Sequence, residues 1–219
     1  YEEVSYLLLM GELPTEQQLS DYIATIDAQR ELPDGFTASM IMRDTPPDIM
    51  NMLQRTILLL YAYDADAEDR SAHHEIHTAI SLISRLPRIM VLTYYAKQAR
   101  YNNGSMIMHR FIPGQSTAET ILSMLRPDRQ FTAEEARMLD IMLCLHAEHG
   151  GGNNSSFTTH VLTSADADAY STYAAAIGSL KGRKHGARTT RFLPCRRRSK
   201  TTSSIGRTMT RLRRISLRS

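Results

Sequence analysis

Three helix-start signals of one kind stand at separate points along the chain. A Thr or Ser is followed three residues later by Gln or Glu at Thr15–Gln18, Ser116–Glu119 and Thr132–Glu135. In this pattern, the capping box, each of the two side chains accepts a hydrogen bond from the backbone N–H of the other residue. No stretch shows the sustained alternation of apolar and polar residues that a half-buried strand would require. The sequence therefore predicts an all-α fold of many helices with short connections.

Three more helices can be placed from composition and spacing. Thr45-Pro46-Pro47-Asp48 predicts a helix start capped by Thr45, because proline fits the first turn of a helix. A long apolar helix is predicted from Thr78 to about Arg100, with Pro87 inside it, and an alanine-rich helix ends near Gly178. The first of these helices carries its apolar residues at helical spacing on one face: Ile49, Met52, Leu53, Ile57 and Leu60.

Composition excludes several classes of protein. A hydrophobic content of 42% and a charged content of 22% are ordinary for a globular chain, and no run approaches the roughly 20 apolar residues of a membrane span. The acidic opening Tyr-Glu-Glu is unlike a secretory signal. It also lacks an initiator Met, so we expect that it is not the natural start. Cys144 and Cys195 are too few for a disulfide framework, which favours a reducing, cytoplasmic location.

The net charge of +3 conceals a strong asymmetry between the two ends of the chain. Residues 181–219 hold 14 of the 26 Lys and Arg residues and neither Asp nor Glu, whereas residues 1–180 hold all 23 acidic residues. Taken alone, such a basic tail on an acidic body predicts an arm that binds nucleic acid or an anionic surface.

Two histidine-bearing loops are the strongest candidates for a site. One is His146-Ala-Glu-His149-Gly-Gly-Gly-Asn153, and the other is Lys181-Gly-Arg-Lys-His185-Gly186, about one helix later. Glycine allows a ligand to approach the backbone closely, and histidine can donate or relay a proton near neutral pH. The structural alternative is that each glycine only ends a helix, with a histidine that suits the helix dipole.

A histidine pair at His73 and His77 also suggests a metal site. The pattern His73-His-Glu-Ile-His77 differs from the zinc motif His-Glu-x-x-His, because Thr78 stands where the second ligand would be. We therefore predict an ordinary surface or packed pair and no metal site.

The sequence of the two loops resembles the citrate synthase family, and this favours a functional site over two glycines that only end helices. His-Ala-Glu-His-Gly-Gly-Gly-Asn-Asn is followed by Ala-Ile-Gly-Ser-Leu-Lys-Gly-x-Lys-His-Gly, and family-like segments precede them in family order. These earlier segments are residues 1–14, 82–87 and 139–146, so the resemblance covers residues 1 to about 186. It implies part of the multi-helix large domain of a mostly α-helical enzyme. In the family this domain is accompanied by a small domain, and dimers form through helices of the large domain.

The resemblance also implies a reaction, the condensation of acetyl-CoA with oxaloacetate to citrate and CoA. At the place of His185 the family has a catalytic histidine that hydrogen-bonds the thioester oxygen as the enol or enolate forms. The histidine at the place of His149 binds oxaloacetate, and the asparagine at the place of Asn153 lies near the substrate in the same loop. His146 is interpreted as a supporting residue. Acetyl-CoA is a substrate, so no cofactor is expected.

Two departures from the family pattern bear on activity. Arg183 stands where the family usually has proline, beside the catalytic loop, and rate is sensitive to positioning. The family's carboxylate base, a second histidine and substrate-binding arginines all lie beyond the position of Ala187. The tail contains no Asp, Glu or His. We therefore expect this truncated chain to be inactive as written.

The tail itself fits a shifted reading frame. One set of codons for the family-like sequence Gly-Ala-Asn-His-Lys-Val-Ser-Ala-Met-Gln-Glu-Glu-Ile-Lys-Asp-Asn-Val yields residues 187–203 of this chain when its first base is dropped. Glu codons read one base later give arginine, which explains a basic run without acids. We predict a helical domain over residues 1–186 and a frameshifted, disordered tail over residues 187–219.

Two alternative functions remain open at this stage. Selectivity for propionyl-CoA would make the protein a 2-methylcitrate synthase, which the sequence does not separate from a citrate synthase. The chain could instead be a non-catalytic helical module whose basic tail binds nucleic acid, and this would show salt-sensitive binding carried by residues 187–219.

Overall fold

The computed structural model describes residues 1–148 and 150–185. Within these ranges every regular element is helical and no strand occurs, so the prediction of an all-α fold is confirmed. Residues Tyr1–Lys181 form one unit and Gly182–Ser219 a second, of which Gly182–His185 are described. The predicted frameshifted tail, residues 187–219, lies outside the described residues, as does the domain boundary placed at residue 186.

The described residues of the first unit contain eight α-helices. Three of their connections are longer than the short ones predicted from the sequence: residues 30–48, 61–71 and 102–116. They are α1 Glu2–Met10, α2 Glu16–Gln29, α3 Ile49–Leu60, α4 Ala72–Tyr101, α5 Thr117–Leu125, α6 Ala133–His146, α7 Asn154–Ser164 and α8 Ala169–Lys181. A π-helical turn, Thr37–Met42, precedes α3, and a 3-10 turn, Tyr61–Tyr63, follows it.

Local capping chemistry determines where three helices begin. The capping boxes predicted at Thr15, Ser116 and Thr132 are all formed, at the starts of α2, α5 and α6. In α2, for example, the backbone N–H of Thr15 donates to Gln18 Oε1 over 2.8 Å. These helix starts depend on residues three positions apart, which is why they could be predicted without tertiary contacts.

The predicted cap of α3 is wrong by three residues. Asp48 is the N-cap, and its Oδ1 accepts a hydrogen bond of 2.9 Å from the backbone N–H of Asn51. The hydroxyl of Thr45 instead donates to the carbonyl of Ile41 over 2.9 Å. A residue that precedes proline avoids helical backbone angles, and both Thr45 and Pro46 precede one, so the helix begins only after the prolines.

Helix α4 is the central element. It begins at Ala72, six residues before the predicted start, because Ser71 caps it by accepting from the backbone N–H of His74. It contacts α2, α3, α5 and α8. Its buried residues share the main core with α3, whose predicted apolar face is confirmed. The residues of this core that α3 and α4 bury are Met52, Leu53, Ile57, Leu60, Leu82, Ile89, Leu92 and Ala96.

Helix α8 packs against α3 on one side and α7 on the other. The close contact predicted for its small residues is confirmed. A Cβ placed on Gly178 would lie 2.7 Å from Nε2 of Gln54 on α3, and Ala174 is buried in the main core. The Nζ of Lys181, the last residue of α8, lies 3.6 Å from Oδ2 of Asp48 at the start of α3.

A partly buried polar cluster joins the first turn of α8 to the start of α4. The hydroxyl of Tyr170 donates to Oδ2 of Asp64 over 2.7 Å. Nε2 of His74 lies 3.3 Å from the same carboxylate oxygen and 3.3 Å from the Thr78 hydroxyl. Burial, and then the hydrogen bond to Asp64, raises the pKa of Tyr170 above its usual range.

No helix in the described part of the chain is both long enough and apolar enough to cross a membrane.

Replacing Tyr170 with Phe tests this cluster. The variant loses the hydrogen bond to the partly buried carboxylate of Asp64, so we expect the free energy of unfolding to fall by about 1 to 3 kcal/mol, measured by urea denaturation. Tyr63→Phe is the matched control, because Tyr63 is exposed and its ring contact with Phe36 does not need the hydroxyl. Equal stability of Tyr170→Phe and wild type would contradict the role of the cluster.

The raised pKa of Tyr170 also predicts that the stability of the fold depends on pH. Tyrosine in the unfolded chain ionises near pH 10, whereas folded Tyr170 keeps its proton to higher pH because its pKa is raised. The stabilisation from this group is therefore complete below about pH 10 and is lost as the pH rises further. The Tyr170→Phe variant should lose less stability than wild type between about pH 9 and pH 11.

Candidate functional site

The glycine-rich loop between α6 and α7 is held by its own hydrogen bonds. Gly150 has a φ of +71°, which a residue with a Cβ rarely adopts, and its backbone N–H donates to Oε1 of Glu148. Gly151 and Gly152 have open space where a Cβ would stand. Backbone groups at these two positions are therefore accessible to a ligand.

Asn153 closes the loop and begins α7. Its Oδ1 accepts from the backbone N–H of Ser156 over 2.9 Å, so it is the N-cap of the helix. Its Nδ2 donates to the carbonyl of Gly150 over 3.1 Å and to the Ser156 hydroxyl over 2.9 Å. The side-chain amide of Asn153 is therefore hydrogen-bonded within the loop, beside the positive end of the α7 dipole. Its predicted place near the substrate stays a prediction.

The structure describes one of the two predicted site histidines, His185, and not the other, His149. His149 lies outside the described residues, so its predicted contact with oxaloacetate is not tested. His185 is half-buried in a turn in which its backbone N–H donates to the carbonyl of Gly182 over 3.0 Å. Because Gly182–His185 belongs to the second unit, the structure does not test whether His185 and the loop at Asn153 form one site. The catalytic role of His185 therefore stays a prediction.

His146 bonds its own helix. Its Nδ1 donates to the carbonyl of Met142 over 2.7 Å, one turn earlier in α6. This bond orients the ring at the end of the helix through Nδ1, and Nε2 takes no part in it. The supporting role expected for His146 stays a prediction.

Of the N-terminal histidines of α4, His73 and His77 are exposed and His74 is half-buried. The rings of His74 and His77 stack with centroids 6.1 Å apart, and Nε2 of His77 lies 3.4 Å from Nε2 of Gln29. Among residues 1–148 and 150–185, no three His, Cys, Asp or Glu side chains are grouped so that they could hold a metal ion.

Sequence analysis missed the contribution of Glu148 and Ser156 to the loop. The serine could have been found, because Asn153-Asn-Ser-Ser156 places an acceptor three residues before an N–H donor, as an N-cap requires. The hydrogen bond from Gly150 to Glu148 depends on the left-handed backbone at Gly150, which has no sequence signal beyond glycine itself.

The fold and this loop define an all-helical protein whose glycine- and histidine-rich loop lies between two helices. The family model "Citrate synthase, C-terminal domain" matches residues 1–212. The chain therefore belongs to the citrate synthase family.

Individual relatives agree with this assignment. The chain is 32% identical over 188 residues to the citrate synthase of Deinococcus radiodurans, covering 85% of this chain and 47% of that protein. It is 31% identical over 193 residues to 2-methylcitrate synthase 1 of Corynebacterium glutamicum, covering 85% and 48%. The chain thus spans about half the length of these relatives.

Solved structures show the same similarity. The citrate synthase of Pyrobaculum aerophilum aligns with a TM-score of 0.75 at 29% identity, covering 85% of this chain and 46% of that one. A Thermoplasma acidophilum citrate synthase, solved as a ternary complex with carboxymethyl coenzyme A and oxaloacetate, aligns with a TM-score of 0.72 at 27% identity. That alignment covers 84% of this chain and 46% of the solved one.

Replacing Asn153 tests the loop closure. Asn153→Ala removes the α7 cap and the bond to Gly150, so we expect a loss of about 1 kcal/mol in the free energy of unfolding, measured by urea denaturation. Asn153→Asp keeps a capping oxygen for the Ser156 N–H and should be more stable than Asn153→Ala. An alanine variant as stable as wild type would show that the loop does not depend on this side chain.

Proposed function

We propose that this chain is part of an acyltransferase of the citrate synthase type, which condenses acetyl-CoA with oxaloacetate. Family membership over residues 1–212 supports this proposal. The Thermoplasma relative supports the substrate pair, because its structure contains oxaloacetate and a coenzyme A derivative. Acetyl-CoA acts as a substrate, and we propose no resident cofactor or metal.

In the proposed reaction His185 stabilises developing negative charge. An imidazole that hydrogen-bonds the thioester oxygen stabilises the enol or enolate more than the ground-state thioester, and this difference lowers the barrier. His149 and the loop closed by Asn153 would bind oxaloacetate. The open space at Gly151 and Gly152 and the helix N-terminus beside them favour a carboxylate there.

The base that removes the methyl proton is not assigned within this chain. The resemblance places it beyond Ala187, and residues 187–219 contain no Asp, Glu or His. A carbon acid of this kind needs a positioned base. We therefore propose that the 219-residue chain is inactive as written and that a single-base shift near the Gly186 codon separates its tail from the family sequence. The relatives cover 85% of the chain, which fits a change near that codon, whereas the match of the family model extends to residue 212.

We also propose that the intact protein is a homodimer. The outer face of α6 supports this, because four apolar side chains lie exposed along one stripe: Met138, Ile141, Met142 and Leu145. Helix α6 buries only Ala136. A stripe of this length suits packing against another helix.

The similarity to a 2-methylcitrate synthase supports propionyl-CoA as a second candidate substrate. The chain is nearly as similar to a 2-methylcitrate synthase, at 31% identity, as to a citrate synthase, at 32%. The two activities differ by one methylene in the acyl group, and a hydrophobic pocket discriminates a methylene by only about 1 to 3 kcal/mol. Overall identity therefore does not decide the acyl preference.

Activity measurements test the proposal. The protein in which one inserted base restores the family frame after Gly186 should release CoA from acetyl-CoA and oxaloacetate, followed by thiol titration, whereas the 219-residue chain should not. His185→Ala in the restored protein should lower kcat by about 100- to 1,000-fold. His160→Ala is the control, because His160 is exposed on α7 and is assigned no role.

Three outcomes would contradict parts of this proposal. CoA release by the 219-residue chain would refute the proposal that this chain lacks the catalytic base. An unchanged kcat in His185→Ala would refute the role of His185. Faster turnover of propionyl-CoA than of acetyl-CoA would favour the 2-methylcitrate synthase. The nucleotide sequence around the Gly186 codon tests the frameshift independently.

A further inference from the structure

The central helix α4 ends in the turn Asn102-Asn103-Gly104, and among the asparagines of the chain only Asn103 is followed by glycine. Asn103 has a φ of +53°, in the left-handed region that asparagine adopts more readily than most residues. Asn103 and Gly104 are both exposed. The carboxamide of Asn103 has no hydrogen-bond partner among the described residues. Its carbonyl carbon is therefore open to attack by a nucleophile.

The backbone nitrogen of Gly104 is the nearest such nucleophile along the chain, and the structure restrains it. Its N–H donates to the carbonyl of Gln98 over 3.0 Å, and the N–H of Asn102 donates to the same carbonyl over 3.0 Å. A Cβ placed on Gly104 would lie 3.1 Å from the Cβ of Gln98. Glycine thus allows the close contact that closes this end of α4.

We propose that Asn103 is a site of spontaneous deamidation whose rate is controlled by the hydrogen bond from Gly104 to Gln98. Hydroxide takes the proton from the Gly104 nitrogen, which then attacks Cγ of Asn103. The new C–N bond closes a succinimide ring as the side-chain nitrogen takes up a proton from water and leaves as ammonia. Water then opens the ring at either carbonyl, and the product is aspartate or isoaspartate. The net reaction consumes one water, releases one ammonia and involves no oxidation.

Two features of the turn act on this reaction in opposite directions. Glycine has no side chain to obstruct the approach of its nitrogen, and it lets the backbone rotate into the geometry of attack. The bond to Gln98 holds the same nitrogen, so the last turn of α4 must open first. Helix ends open at a small cost in free energy. Asn154 is also exposed, but the side chain of the residue that follows it obstructs the same attack.

Either product weakens the end of α4. Aspartate places a negative charge at the negative end of the helix dipole, which is unfavourable. Isoaspartate adds a methylene to the main chain before Gly104, so its N–H is displaced from the carbonyl of Gln98. The last turn that is loosened includes Tyr101, whose hydroxyl donates to the carbonyl of Thr45 over 2.7 Å.

Ageing of the full 219-residue chain tests this proposal. The protein is incubated in mildly alkaline buffer made with heavy-oxygen water, once folded and once in urea, and its peptides are analysed by mass spectrometry. Incorporated heavy oxygen marks each converted asparagine. We expect conversion of folded Asn103 to exceed that of Asn154 by about tenfold or more. Conversion of Asn103 should be faster in urea, where the Gly104 N–H is released.

Two variants connect the modification with the end of α4. Asn103→Gly keeps access to the left-handed conformation and has no carboxamide, so ageing should leave hydrogen exchange in its last α4 turn unchanged. Asn154→Ser is the matched control, because it removes an exposed asparagine elsewhere, and its last α4 turn should exchange faster after ageing, as in wild type. Circular dichroism before ageing checks that both variants are folded.

Three results would overturn the proposal, and none of them involves a substrate or the candidate site. Conversion of Asn103 in urea but not in the folded chain would show that the end of α4 stays closed. Equal conversion of Asn103 and Asn154 would show that Gly104 does not select the site. Equal rates for folded and unfolded Asn103 would show that the bond to Gln98 does not control the reaction.

Discussion

Burial of α4 among its neighbours is the interaction on which the rest of the structure depends. The helix is 30 residues long and contacts α2, α3, α5 and α8. Each large apolar side chain that it buries fully, such as Ile89, contributes about 1.5 to 3 kcal/mol. Together these offset Pro87, which removes a helical hydrogen bond at a cost of about 3 kcal/mol. Packing thus maintains a helix that local propensity alone would interrupt.

Buried polar contacts specify how the helices meet. Arg30 is almost completely buried, and it bonds Asp27 over 2.7 Å and the carbonyl of Gln115 over 3.3 Å. Oδ2 of Asp27 in turn accepts from the backbone N–H of Gly114. A different arrangement of α2 and the segment before α5 would leave these groups unpaired in the interior, which is costly. The Asp64–Tyr170 contact acts in the same way for α8 and the segment that precedes α4.

One helix connects the candidate site with the proposed interface. The last turn of α6 leads directly into the loop closed by Asn153, and the outer face of the same helix carries the exposed stripe that begins at Met138. Any partner that packs on this face would also restrict the end of α6 and the loop that follows.

Features that depend on neighbours in sequence were predictable, including the three capping boxes, the apolar face of α3 and the histidine- and glycine-rich loop that identified the family. The cap of α3 was mispredicted because the two consecutive prolines delay the helix start to Asp48, and the Thr45 hydroxyl donates to the carbonyl of Ile41 instead. The roles of His149 and His185 stay predictions, since one lies outside the described residues and the other in the second unit.

By itself, the sequence determined the helical class, the three helix starts that carry capping boxes and the family, because capping and apolar spacing act over a few residues. Only the tertiary structure decided that Tyr170 bonds Asp64, 106 positions away, that Arg30 is buried, and that the α6 stripe is left exposed. Such contacts depend on how whole helices pack, and no local pattern in the chain encodes that packing.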